Sequence, residues 1–243
     1  MAAPAPTLAP PDLSRLPRWR LLGMIGAGEE ILECYGALEK AGLNIVGEVL
    51  RGHGVFYEFE HYPPDDVYDS ETHSQYYYHA HREGEHGHFH TFLRRPGMPP
   101  GAEPVPHDDG EPWPEGDDAL SHLIAISMDA YGKPIKLFTV NRWVCGDGWY
   151  PAHAVVQMID RFAVHHASPS WPVNRWISAM LRLFRPYVEA LLWHRDAVVE
   201  TWRVAHPGVN VFEDRRLGVI GMLPVSAEGE LERVRAALAL RGG

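Results

Sequence analysis

The chain has 243 residues, with 32 acidic against 22 basic side chains, a formal net charge of −10 and 15 histidines. That length suits one large domain, and the net acidity, with no basic stripe to offset it, repels phosphate backbones and sets nucleic acid aside as a partner. No apolar run approaches the roughly 18 residues that a membrane-spanning helix needs, and Cys34 and Cys145, far apart and outside any CxxC context, argue against a disulfide scaffold and a cysteine-type zinc site.

Residues 1–17 are rich in Ala and Pro. They lack a basic region followed by an apolar one, so they read as a disordered lead-in rather than a secretion signal. The cytoplasm is the expected compartment, and residues 18–243 are expected as one domain.

Residues 29–40 read as a helix, with Ile31, Leu32, Tyr35 and Leu38 on one face and Gly42 as its stop. Residues 43–51 are ambiguous. Residues 55–60 alternate and read as a strand, and 62–72 read as a loop opened by Pro63-Pro64. A histidine-rich hairpin is expected over 75–94, with paired strands at 75–82 and 88–93. Residues 96–118 form a long loop of Pro, Gly and acid, of a length that suits a flap. A second hairpin follows, with strands at 122–128 and 135–143. The rest is mostly helical: a helix from Pro151 with a face running to His166, another at 173–184, and a third opened by Pro186 and closed by His206-Pro207-Gly208. A last strand is expected at 217–222, and Ser226 caps a final helix. Strands cluster early and helices late. The predicted class is therefore α+β, an antiparallel sheet of hairpins packed by C-terminal helices.

The first hairpin carries the chemistry. A two-residue turn at Gly84-Glu85 suits a type II′ geometry. Counting outward then pairs Glu83 with His86, His81 with His88, His79 with His90 and Tyr77 with Phe92. Side chains alternate faces with period 2. One face holds Tyr77, His79, His81, Glu83, His86, His88, His90 and Phe92; the other, with Tyr76, Tyr78, Phe89 and Leu93, is a core face. A one-residue slip would break the pattern. Opposed side chains sit about 4.5–5.5 Å apart at Cβ. Imidazoliums that close repel, and buried neutral rings without partners cost desolvation. A divalent transition metal resolves both.

The expected ligands are His79, His81, His86, His88 and His90. Three imidazoles and an open position for water form a familiar catalytic zinc set. Zinc is the first expectation; iron, copper and nickel also suit all-imidazole ligation. Any surplus ring would serve as support, as a second metal site or as a proton relay. The plain alternative is a solvated or hydrogen-bonded cluster.

His86-Gly87-His88-Phe89-His90 also fits H-x-H-x-H spacing and resembles the histidine-triad nucleotide hydrolases and transferases. That resemblance implies attack on a phosphate by His88. It covers seven residues, and no phosphate-binding glycine loop accompanies it. The H-x-H of cupin and carbonic-anhydrase strands is a local convergence.

A wider resemblance rests on Gly47-Glu48-Val49-Leu50-Arg51-Gly52, His61-Tyr62-Pro63, Asp66-Val67-Tyr68-Asp69, Tyr77-Tyr78-His79-Ala80-His81-Arg82, Glu85 to Phe92, and Leu137 to Trp143. These runs resemble a bacterial domain family of unknown function. The resemblance spans most of the chain after the lead-in. It implies a single domain and names no reaction.

Other residues fill supporting roles. His61, Asp65, Asp66, Asp69 and Glu71 precede the hairpin and could supply a ligand or orient a ring. His122 is expected opposite Asn141, sharing a face with Thr139 and Trp143 in ordinary strand-end bonding. Cys145 has no histidine assigned to it. As an enzyme, the protein would use the metal, or His88, with Glu83 or an acid of the 65–71 loop as base. Tyr77, Arg82 and Arg142 are the candidate substrate-binding residues. The expected partner is a small-molecule substrate or a metal ion, with no nucleic acid and no membrane. A non-catalytic metal-handling or pH-sensing module is the further alternative.

Overall fold

The computed structural model describes residues 6–106 and 111–241. Its centre is a six-stranded antiparallel sheet whose spatial order is the chain order. The strands are β1 (Tyr62–Tyr68), β2 (Ser74–His79), β3 (Gly87–Arg94), β4 (Leu120–Met128), β5 (Pro134–Val140) and β6 (Val219–Pro224). Among the described residues, seven α-helices accompany it: α1 (Arg18–Glu39), α2 (Ile45–Val49), α3 (Arg142–Cys145), α4 (Ala152–Ile159), α5 (Trp171–Leu183), α6 (Arg185–Ala205) and α7 (Ala227–Ala239). The fold is α+β, as the run of strands followed by helices implied. Among the described residues no helix is long and apolar enough to cross a membrane.

Several boundaries have simple local causes. Asn44 caps α2 by accepting from the Gly47 amide, and Ser226 caps α7 by accepting from Gly229, each satisfying a free N–H of the first turn. Pro at the first turn starts α5 and α6 without losing a bond. The helix expected from Pro151 to His166 stops at Ile159.

The sheet buries two unlike faces. Tyr76, Tyr78, Phe89, Leu93, Ile124 and Ile126 belong to the main core together with Trp176 of α5. Burying one such large side chain stabilises by about 1.5–3 kcal/mol. The opposite face carries Tyr77, His79, His88 and His90, with Ala125, Phe138 and Val140 as a small apolar cluster beside them.

Three expectations are corrected. Residues 6–17 are no free lead-in, because the Leu8 amide donates to the Met222 carbonyl and the Met222 amide to that of Pro6. Residues 55–60 are a loop, not a strand, with Phe59 at φ 68°. Residues 62–68, expected as loop, form the edge strand β1. Its register breaks between Tyr62 and Val67, where Pro63 and Pro64 have no N–H to give; an edge tolerates that. Part of the expected 96–118 flap, residues 107–110, lies outside the described residues.

Candidate metal centre

The first hairpin forms with the predicted faces but a different register. His79 pairs with His88, Tyr77 with His90 and Gln75 with Phe92. The shift from the expected pairing of His79 with His90 is two residues, so each strand residue keeps its face. The connection lengthens to residues 80–86, and its turn lies at Glu83-Gly84, with Gly84 at φ 80°. Only a residue tolerant of the left-handed region fits there.

This register brings His79, His81 and His88 together, one ring nitrogen from each lying within 4.8 Å of the others. His79 Nε2 is 2.7 Å from His88 Nε2. His88 Nδ1 is 2.6 Å from Glu85 Oε1. An anionic carboxylate accepts, so His88 carries its proton on Nδ1 and presents a lone pair at Nε2 toward His79. That is the tautomer a metal needs, and a carboxylate behind a ligating imidazole is its usual support. The Glu85 side chain is fully buried. Its other oxygen accepts from Ser127 Oγ at 2.5 Å and lies 3.5 Å from Lys136 Nζ. Burial alone pushes the Glu85 carboxyl up, but the hydrogen bonds from His88 and Ser127 outweigh it and hold it below its ordinary value.

The imidazoles are held neutral. Burial, then repulsion from His88, His81 and His61, lowers His79 to about 2. Burial likewise lowers His88 and His81. Neutral imidazole is the form that ligates.

His90 does not join this group. Its Nδ1 lies 2.9 Å from His122 Nε2 and 3.5 Å from Cys145 Sγ, and these three form a second group that could hold an ion. His90 Nε2 is buried without a hydrogen-bond partner among the described residues. His122 reaches this face through a β-bulge: Thr91 pairs with Ile124, but Phe92 pairs with His122. One extra residue on β4 reverses the alternation. The expected second-hairpin register is present over residues 125–127, where Ala125 pairs with Phe138; the bulge is what the alternation could not reveal. Cys145 follows on α3, which Asn141 starts by accepting from the Arg142 amide. Burial pushes the Cys145 thiol well above its ordinary range, while a hydrogen bond with the Tyr77 hydroxyl acts the other way.

The remaining candidates take up varied positions. His86 lies on the other side of the hairpin, its Nδ1 2.8 Å from the Tyr78 hydroxyl and its ring stacked on Phe56. Glu83 is exposed in the turn, and Glu85 takes the place beside the histidines. Asp69 is buried accepting from the amides of Glu71, Thr72 and His165, a structural role. Arg142 is buried and paired with Glu213 at 2.5 Å, tying α3 to the turn before β6. Tyr77 lies parallel to His61 at a centroid distance of 3.6 Å, and His61 Nδ1 is 2.9 Å from Asp66 Oδ1.

Above the triad lies a cavity of about 470 Å³. His79, His81, His88, His90 and His61 line it with Tyr77, Arg82 and Phe138, as do Trp143, Arg215 and Val219. Phe59 stacks on His81 at the rim, with ring centroids 5.2 Å apart.

A family model described as a domain of unknown function, DUF6969, matches residues 25–225. No curated protein and no solved structure matches the chain.

Proposed function

The chain belongs to the DUF6969 family, whose description carries no reaction, and we propose from its residues that it is a metalloprotein in which His79, His81 and His88 hold one divalent transition metal. The observation that carries this reading is the line from Glu85 through His88 to His79, which fixes a ligating tautomer at the floor of an open cavity. Zinc is the first choice for a neutral three-imidazole set, with iron, copper and nickel as the alternatives.

In this reading the bound metal faces the cavity with a position free for water or a substrate oxygen, and supplies Lewis acidity there. Glu85, enclosed behind His88, orients that ligand and does not reach the cavity as a base. His61 fits the base role better. Its Nδ1 is engaged by Asp66, which is itself held by Gln75 Nε2 at 2.6 Å, leaving Nε2 for a cavity proton. His90 Nε2, buried and unpartnered, supports a role in holding a bound water. We read the protein as cytoplasmic, acting on a small molecule, with neither nucleic acid nor membrane as partner.

Nucleotide chemistry through His88 has less support. Both ring nitrogens of His88 are engaged, by Glu85 and by His79.

Elemental analysis of untagged protein, purified without added metal or chelator, tests the proposal. About one transition-metal ion per chain supports it. Protein that is metal-free and takes up none of zinc, iron, copper or nickel would refute it.

A further inference from the structure

Acidic side chains outnumber basic ones in this chain, and most of its arginines are committed. Among the described residues only Arg18, Arg82 and Arg215 make no hydrogen bond or ion pair; even Arg20, Arg161 and Arg241 at the surface are engaged. Two of those three line the histidine cavity. Arg82 is half-buried, its guanidinium carbon 4.6 Å from the centroid of Phe138. Phe138 in turn contacts His88 edge-on at 5.3 Å. Arg215 is exposed, its guanidinium carbon 4.5 Å from the centroid of Trp143, which also lines the cavity.

No Asp or Glu lines the cavity among the described residues. Glu85 is behind His88, from where its charge favours Arg82 without hydrogen-bonding it, and Glu58 acts on His81 from outside the lining. The wall is therefore two guanidiniums, five imidazoles and apolar surface. Stacking on an aromatic ring fixes a guanidinium's plane while leaving its N–H fork free. Arg82, half-buried with five donors and no hydrogen-bond acceptor, is costly unless a ligand supplies one, whereas Arg215 is exposed and adds its charge and fork from the rim. Oxyanions do so bidentately.

We propose that the cavity binds an organic anion, its carboxylate or phosphate oxygens taken by Arg82 and Arg215 and its apolar body lying against Phe59, Phe138 and Trp143. This names the substrate class of the site described above and rests on that reading for its catalytic meaning, but not for the binding itself.

The test is isothermal titration of the full chain with 2-naphthoate, 2-naphthyl phosphate and the neutral 2-naphthylmethanol, on metal-stripped and zinc-loaded protein. At least one anion is expected to bind about tenfold or more tighter than the alcohol in both forms, and the Arg82→Gln, Arg215→Gln double variant to lose that preference. The ratio of the two anions tells carboxylate from phosphate recognition. The Arg82→Lys, Arg215→Lys variant keeps the charge without the fork and is expected to fall between; it stands in should the Gln variant fail to fold.

Equal binding of the alcohol, unchanged anion binding in the double variant, or no anion binding at millimolar concentration would overturn the proposal. So would anion binding that needs the metal and survives loss of both arginines, because the metal would then be the anion's partner. Wild-type protein that holds no metal yet binds anions through the two arginines would sink the metal reading and leave this one standing.

Discussion

His79 Nε2 and His88 Nε2 face each other at 2.7 Å across the neighbouring strands β2 and β3, while Glu85 holds the far nitrogen of His88. Two neutral rings meeting nitrogen to nitrogen share one proton at most. Replacing that proton by a cation asks only that the nitrogens separate to the spacing set by metal–nitrogen bonds of about 2.0–2.1 Å.

Removing a ligand should therefore remove the ion. His79→Ala and His88→Ala are each expected to lower bound metal from about one ion per chain to under about a tenth. His86→Ala should retain full metal, because that ring bonds Tyr78 on the other side of the hairpin. Elemental analysis of the three variants checks this, and equal losses in all three would mean general unfolding instead.

Glu85 acts through His88. Glu85→Gln is expected to weaken metal binding by about 10–100-fold, and Glu83→Gln to leave it unchanged, since Glu83 is exposed in the turn. Competition with a chromophoric chelator measures the ratio. An Asp at 85 that restores part of the affinity would separate a charge requirement from a packing one.

The metal-free protein should lose stability in acid. His79 is lowered to about 2 and His122 to about 3, both chiefly by burial. Their folded pKa values lie below the unfolded value near 6.5, so below that pH the unfolded chain binds more protons. Stability is fully present above about 6.5 and falls as pH drops toward the folded values, by up to about 1.4 kcal/mol per pH unit for each such histidine. Asp147 opposes this between its ordinary value of 3.8 and about 6, where burial has raised it. Urea midpoints from pH 7.5 to 4.5 should decline, and His122→Gln should flatten the slope. A flat wild-type profile would show these rings to be solvated.

The two thiols should be silent in the native state. Burial pushes Cys34 up to about 11 and Cys145 well above its ordinary range, so neither offers a thiolate at pH 8. Ellman's reagent is expected to label no thiol before denaturation and both after it. Rapid native labelling at Cys145 would instead mark an accessible nucleophile beside His90.

Face membership was legible in the sequence because alternation is a property of the strand itself. Tyr77, His79, His88 and His90 share a face whether His79 opposes His88 or His90. The turn was not legible: Gly84 serves a left-handed position in more than one loop length, and that choice moved the buried carboxylate from Glu83 to Glu85. His122 depended on a bulge set by tertiary packing. Cys145 and Arg215 reach the site only through the chain's later course, and no local signal marks either. Arg82 could be nominated from its neighbours, whereas Arg142 could not be distinguished from it until its ion pair with Glu213 was seen.

The strands follow one another across the sheet in chain order, and this gives the site a sequence of assembly during synthesis. All the groups that hold the triad, from His61 through Glu85 and Ser127 to Phe138, leave the ribosome before the wall bearing Arg215 and Val219 exists. If the site holds a metal as proposed, a nascent chain would present its histidines, with Arg82 beside them, before Arg215, the second of the two guanidiniums proposed to bind an anion, has been made.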